Sequence, residues 1–113
     1  MTIEEYLIDY LAPRLNVPVS GSVPHPLPDE FITVELTGER VDNLIPTAQV
    51  HVDCYSTSRA AAAALGRQML STLRQACTQP EISRVQLNSM YNNTDESLQK
   101  PRESGIFEIV YLF

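Results

Sequence analysis

The residues best equipped for chemistry stand together at His51, Asp53 and Cys54, within Ala48-Gln49-Val50-His51-Val52-Asp53-Cys54-Tyr55. An imidazole, a carboxylate and a thiol are the parts of an activated nucleophile. The alternation of the run, however, is that of a strand. Val50, Val52 and Cys54 then share one face, while Gln49, His51, Asp53 and Tyr55 share the other. The thiol therefore cannot meet either neighbour directly. A metal on His51 and Asp53 needs at least one more ligand, and the other histidine, His25, lies in a remote proline-bearing stretch. There is no dinucleotide fingerprint, P-loop or zinc-protease motif. The expectation is no catalytic residue, no metal and no cofactor: a domain that is not an enzyme.

Composition narrows the class. A chain of 113 residues, 43% hydrophobic and 19% charged, is expected to be a single domain over residues 1–113, with a core of its own. No apolar run reaches the ~18 residues of a membrane helix, and the acidic start does not read as a signal peptide. Two cysteines make no disulfide scaffold, so Cys54 and Cys77 are expected to be reduced in a cytosolic fold. The net charge of −6 is uneven: residues 1–57 hold two basic groups against nine acidic ones, and residues 58–113 hold six against five. Such acidity argues against tight nucleic-acid binding, which rests on neutralising phosphates. The imbalance could serve head-to-tail contact between identical subunits, although ordinary solvated charge is the commoner explanation.

The elements that would position these groups follow from periodicity. Ile3, Tyr6, Leu7, Tyr10 and Leu11 repeat with helical spacing over residues 2–12, Thr2 and Glu5 fit a capping box, and Pro13 is expected to end that helix. Residues 13–30 carry five prolines and predict an extended connection. Strands are expected over 31–37 and 48–55, separated by a polar loop at 38–47. A helix from Arg59 to Cys77, capped by Ser58, places Ala62, Leu65, Met69, Leu73 and Ala76 on one stripe. Gly66 within it is expected to allow close packing. Strands are also expected over 83–91 and 106–113. A mobile polar loop is predicted at 92–105, and the apolar end of the chain should lie inside the fold. The order is α-β-β-α-β-β: an α+β fold with a four-stranded, mostly antiparallel sheet and two helices packed on one face.

This layout resembles the small tail-terminator or tail-completion (head–tail joining) proteins of long-tailed bacteriophages. The resemblance spans nearly the whole chain. Its carriers are the short first helix, the segment Val23-Pro24-His25-Pro26-Leu27-Pro28 leading into Phe31-Ile32-Thr33-Val34-Glu35, and the strand Val50–Tyr55. That strand runs through Ser56-Thr57-Ser58-Arg59 into an alanine-rich helix, and an apolar last strand completes the pattern. None of these is a catalytic signature.

The resemblance implies a homo-oligomeric ring, hexameric in this family, at the head-proximal end of the virion tail, assembled in the bacterial host cytoplasm. Such a ring caps the tail tube, ends its growth and offers a surface to the head connector. Its partners would be itself, the tail tube protein and connector proteins, with DNA only passing through and no membrane. Glu39, Arg40, Asp42, Asp95, Glu96, Lys100 and Arg102 in the two loops become candidate contacts. Tyr6, Tyr10, Arg67 and Arg74 on the helices join them. Alternatives are a head–tail connector or neck adaptor, a small-molecule-binding regulatory module, and an enzyme built on His51, Asp53 and Cys54.

Overall fold

The computed structural model describes all residues from Met1 to Phe113. Its elements are α1 (Ile3–Leu15), β1 (Val19–Ser20), β2 (Phe31–Asp42), β3 (Ile45–Tyr55), α2 (Arg59–Arg74), a 3-10 turn (Gln75–Thr78), β4 (Ile82–Asn92) and β5 (Arg102–Tyr111). They make one sheet in the order β1-β2-β3-β5-β4. All pairings are antiparallel except β1–β2. The expected α+β class and the placement of both helices on one face hold. The strand number does not, because Val19 and Ser20 pair with Ile32 and Thr33 as a fifth, two-residue strand. Pro18 hid it: the proline marks a break in sequence, yet its carbonyl accepts from the Ile32 N–H at 2.9 Å.

Local chemistry accounts for both helices. The Thr2 hydroxyl accepts from the Glu5 N–H, and the Ser58 hydroxyl from the Ala61 N–H, each covering an orphan donor of its first turn. α1 continues past Pro13 to Leu15 rather than ending at residue 12. The apolar row Leu7, Leu11, Leu15 goes on for another turn, and Asn16 stops the helix instead, in the left-handed conformation at φ 56°. Packing has overridden the local preference at Ala12.

The core lies between the helices and one sheet face. Val50, Val52 and Cys54 of β3 meet Ile32 and Val34 of β2 and Phe107 and Ile109 of β5, all buried. The α2 stripe Ala62, Leu65, Met69, Leu73 with Ala76 covers them, and Leu7 and Leu11 of α1 close the side. Each large aliphatic side chain buried here contributes about 1.5–3 kcal/mol. Glu4 adds a specific tie: its carboxylate accepts from the Leu36 N–H at 2.9 Å, on the outer edge of β2 beyond the end of β1. Gly66 is buried against the sheet, and a Cβ there would lie 2.9 Å from Glu103 Cγ.

The loop expected at 38–47 does not exist. Past a bulge at Thr37, β2 and β3 stay paired to Asp42 and Ile45, and only Asn43 and Leu44 turn the chain. Both have positive φ, 52° and 69°, the sign pattern of a type I′ hairpin turn. The alternation here is carried by Gly38, Glu39, Arg40 and Asp42, which polar composition disguised as a loop. The loop expected at 92–105 is likewise shorter, because β4 runs to Asn92 and β5 starts at Arg102. The chain end also differs from expectation: Leu112 and Phe113 are exposed, although the Phe113 ring lies 4.8 Å from that of Tyr111 and 5.3 Å from that of Tyr6. From Ile106 onward the last strand is fully buried on its helix side alone.

Two substitutions test this packing. A Cβ on Gly105 would sit 2.7 Å from Cε1 of Phe107, a ring with no exposure, so Gly105→Ala should cost about 1–3 kcal/mol in urea unfolding. Leu44 occupies a conformation that glycine adopts freely. Leu44→Gly should therefore stabilise the dilute, monomeric chain by about 0.5–1 kcal/mol, read as a higher urea midpoint at unchanged slope.

Candidate assembly surfaces

One face of the sheet has no helix on it. It presents Thr33 and Glu35 of β2, Gln49, His51 and Asp53 of β3, and Ile106, Glu108 and Val110 of β5. His51 stands between Glu35 and Ile106, and Asp53 between Thr33 and Ser104. Cys54 points the other way into the core, where burial pushes its thiol far above the ordinary value. The structure therefore separates the thiol from the imidazole and carboxylate. Nowhere does it gather three or more His, Cys, Asp or Glu side chains in a metal-binding group. Both cysteines are free, Cys54 buried and Cys77 exposed.

At one end of this face the connection between β4 and β5 is clasped onto the sheet. Asp95 organises it. One carboxylate oxygen accepts from the Ser97 N–H (3.0 Å), the Ser97 hydroxyl (2.8 Å) and the Leu98 N–H (3.2 Å). The other meets Arg102 Nη1 and the Tyr55 hydroxyl, both at 3.4 Å. Arg102 also donates from Nε to the Asn93 carbonyl at 2.7 Å, and Lys100 Nζ donates to the Asp29 carbonyl at 3.0 Å. Beneath them the Tyr55 and Phe31 rings stack at 4.3 Å. Residues 93–101 are thus fastened at both sides rather than left as a loose loop.

At the other end the β2–β3 hairpin carries an apolar tip. Val41, Leu44 and Ile45 are 63%, 93% and 44% exposed. Below the tip, Arg40 pairs with Asp42 (3.0 Å) and Glu108 (3.1 Å), and Glu39 accepts from the Tyr111 hydroxyl. Burial, reinforced by that carboxylate, pushes the Tyr111 hydroxyl up to about 12.

The candidate residues therefore fall into separate places. Arg40 and Asp42 are joined to each other, as are Asp95 and Arg102, and Glu96 is exposed near the second pair. Tyr6 packs half-buried on Phe113, while Tyr10 is buried with the Arg14 guanidinium 3.8 Å above its ring. Arg67 and Arg74 are exposed on α2 and make no salt bridge. Reasoning from sequence missed Val41, Leu44 and Ile45. The signal that could have found them was an Asn-initiated two-residue turn between alternating runs.

The sheet is thus layered on one side by two helices and carries mostly polar and charged groups on the other. The widest surface cleft, about 410 Å³, is an open groove. No family model and no curated protein matches the sequence. Among solved structures, the chain is similar to one from "Virion of native gene transfer agent (GTA) particle", with a TM-score of 0.63 and 18% identity. The similarity covers 89% of this chain and 83% of that one. The fold is thus shared with a component of a virion particle.

The clasp makes a pH prediction. Hydrogen bonds from Ser97, with Leu98 and Arg102 adding to them against some desolvation, hold the Asp95 carboxyl below its ordinary value. A carboxylate depressed by folding contributes stability above its unfolded pKa and loses it as pH falls through the folded one. Asp95→Asn should therefore destabilise the protein at neutral pH. The difference from wild type should shrink steadily on acidification, as measured by urea midpoints across that range.

Proposed function

We propose that this protein is a structural component of a phage-like virion that forms a ring at the head-proximal end of the tail. There it caps the tail tube, ends its growth and provides the surface for head joining. The observation that carries the reading is the match in fold to a virion chain over 89% of the present chain. Other features agree with it. Two distinct contact regions lie at opposite ends of a molecule 42 Å long and 24 and 23 Å across. Surfaces that differ in this way pair heterologously, and heterologous contacts close into rings when the rotation permits.

In this reading the partners are further copies of the chain, the tail tube protein and the head connector proteins. DNA passes through the ring without being held, in keeping with a net charge of −6. The chain works by shape and contact, without catalysis. A connector or neck adaptor position in the same particle rests on the same fold match. It differs in which neighbour each end of the ring meets.

Light scattering across a concentration series, with negative-stain images of the same sample, tests the proposal. The expected result is a closed ring of about six subunits with a central hole. A chain that stays monomeric alone and on isolated tail tubes, with melting temperature raised by small molecules, would instead favour a ligand-binding module. Capture of the ring by tube ends, rather than by connector-bearing heads, separates terminator from connector.

A further inference from the structure

The exposed tip of the β2–β3 hairpin and a groove beside α2 have complementary properties. The tip places Leu44 at the outermost point of the hairpin in a backbone conformation that disfavours leucine. A glycine would turn the chain more easily, so an apolar knob is being kept there at the expense of local strain. A leucine almost wholly in water gains nothing for the isolated fold.

The groove lies at the far end of the same strands. It runs between the end of α1 and the first turns of α2, and Leu15, Val17, Ala61, Ala64 and Leu65 line it beside Glu30, the residue before β2. It continues along α2 past Arg14, Gln68, Ser71 and Thr72. The two stretches hold about 410 and 310 Å³, within the range that accepts a group of several side chains. Twelve residues of β2 separate tip from groove, roughly 35 Å of strand. One surface is convex and the other concave, and they stand at opposite ends of the long axis.

Charge points the same way. α2 carries Arg59, Arg67 and Arg74 and no carboxylate, in a chain whose net charge is −6. All three are exposed and none makes a salt bridge within the chain. Arg67 lies one turn from Ala64 and from Ser71, and Arg74 one turn further, so both stand on α2 to one side of the groove, which Arg14 lines directly. The hairpin carries Glu39 and Asp42 with Arg40, and Glu108 lies against its base, a net negative group.

We propose that the Val41/Leu44/Ile45 tip of one copy seats in the α1–α2 groove of a second copy, with Arg67 and Arg74 facing the hairpin carboxylates. This deepens the ring reading and rests on it, naming the contact by which subunits follow one another. Each copy offers one knob and one groove, so the contact is head-to-tail and every subunit in a closed ring is used twice in the same way.

Site-directed cross-linking tests it. In a Cys77→Ser background, with Cys54 sealed in the core, one chain carries Leu44→Cys and another Ala64→Cys. Under mild oxidation the mixture should yield a covalent pair that neither chain yields alone. Leu44→Asp should raise the apparent dissociation constant at least tenfold at unchanged circular dichroism, and without lowering the urea midpoint of the dilute monomer. Self-linking of the Leu44→Cys chain would overturn the inference in favour of tip-to-tip pairing. Wild-type rings with no linkage in the mixture would overturn this contact while leaving the ring standing. A wild-type chain that is monomeric at every concentration and on tail tubes would remove both.

Discussion

Everything in this molecule depends on burying one face of one sheet. Val50, Val52 and Cys54, between Phe107 and Ile109 on one side and Ile32 and Val34 on the other, form an apolar plate that water cannot be left touching. α2 answers it with Leu65, Met69 and Leu73, and its glycine lets the helix axis approach β5 closely. Since both helices are spent on that face, the other is left open, with His51, Asp53 and Glu108 beside Ile106 and Val110. The free face is a consequence of the helix count, and function inherits it.

How legible this was depended on the kind of signal. Where burial was strong, period and chemistry agreed: the α2 stripe, the alternating β3 run and both hydroxyl caps stand as the residue pattern implies. The failures occur where the physics is carried by partners remote in sequence. Gly38–Asp42 are strand residues because β3 pairs with them, and no local apolar alternation announces it. Pro13 sits inside a helix because Leu15 is drawn to the core with Leu7 and Leu11. Val19 and Ser20 are a strand only because the edge of β2 is beside them. Residues 93–101 are polar, yet Asp95 and Arg102 satisfy one another and the surrounding backbone, so polarity there produces order. The candidate site was legible as charge and only partly as shape. Arg40, Asp42, Asp95 and Arg102 could be picked out by type, whereas the apolar tip needed the turn geometry to become visible.

The distribution of strain is informative in the same way. Consistent folds put glycine or asparagine where φ is positive, and departures from that rule concentrate where something besides folding is selected. Asn16 and Asn43 follow the rule; Leu44 and Gln99 do not, and of these two only Leu44 is a large apolar side chain held in water. The core offers no compensation, because Leu44 touches none of it. This is the observation on which the proposed contact of the hairpin tip rests.

In the proposed ring, a long hairpin also solves a problem of assembly. Both outer strands of the sheet, β4 and most of β2, keep edges that could pair with any extended chain. Bulges interrupt each of them, at Thr37 in β2 and at Ser83 and Asn88 in β4, and charged residues flank the β2 edge at Glu35, Glu39 and Arg40. Edge pairing between copies would be poorly discriminating in register, since backbone groups look alike along a strand. A side-chain knob offered at one end and a groove at the other is specific in position and in direction. With Arg67 and Arg74 beside the groove and a net negative charge on the hairpin, the proposed contact also disfavours tip-to-tip pairing. A subunit of this kind reaches a defined number of neighbours through side chains while its sheet edges are kept from joining indiscriminately, which is the requirement on any ring that must stop at closure.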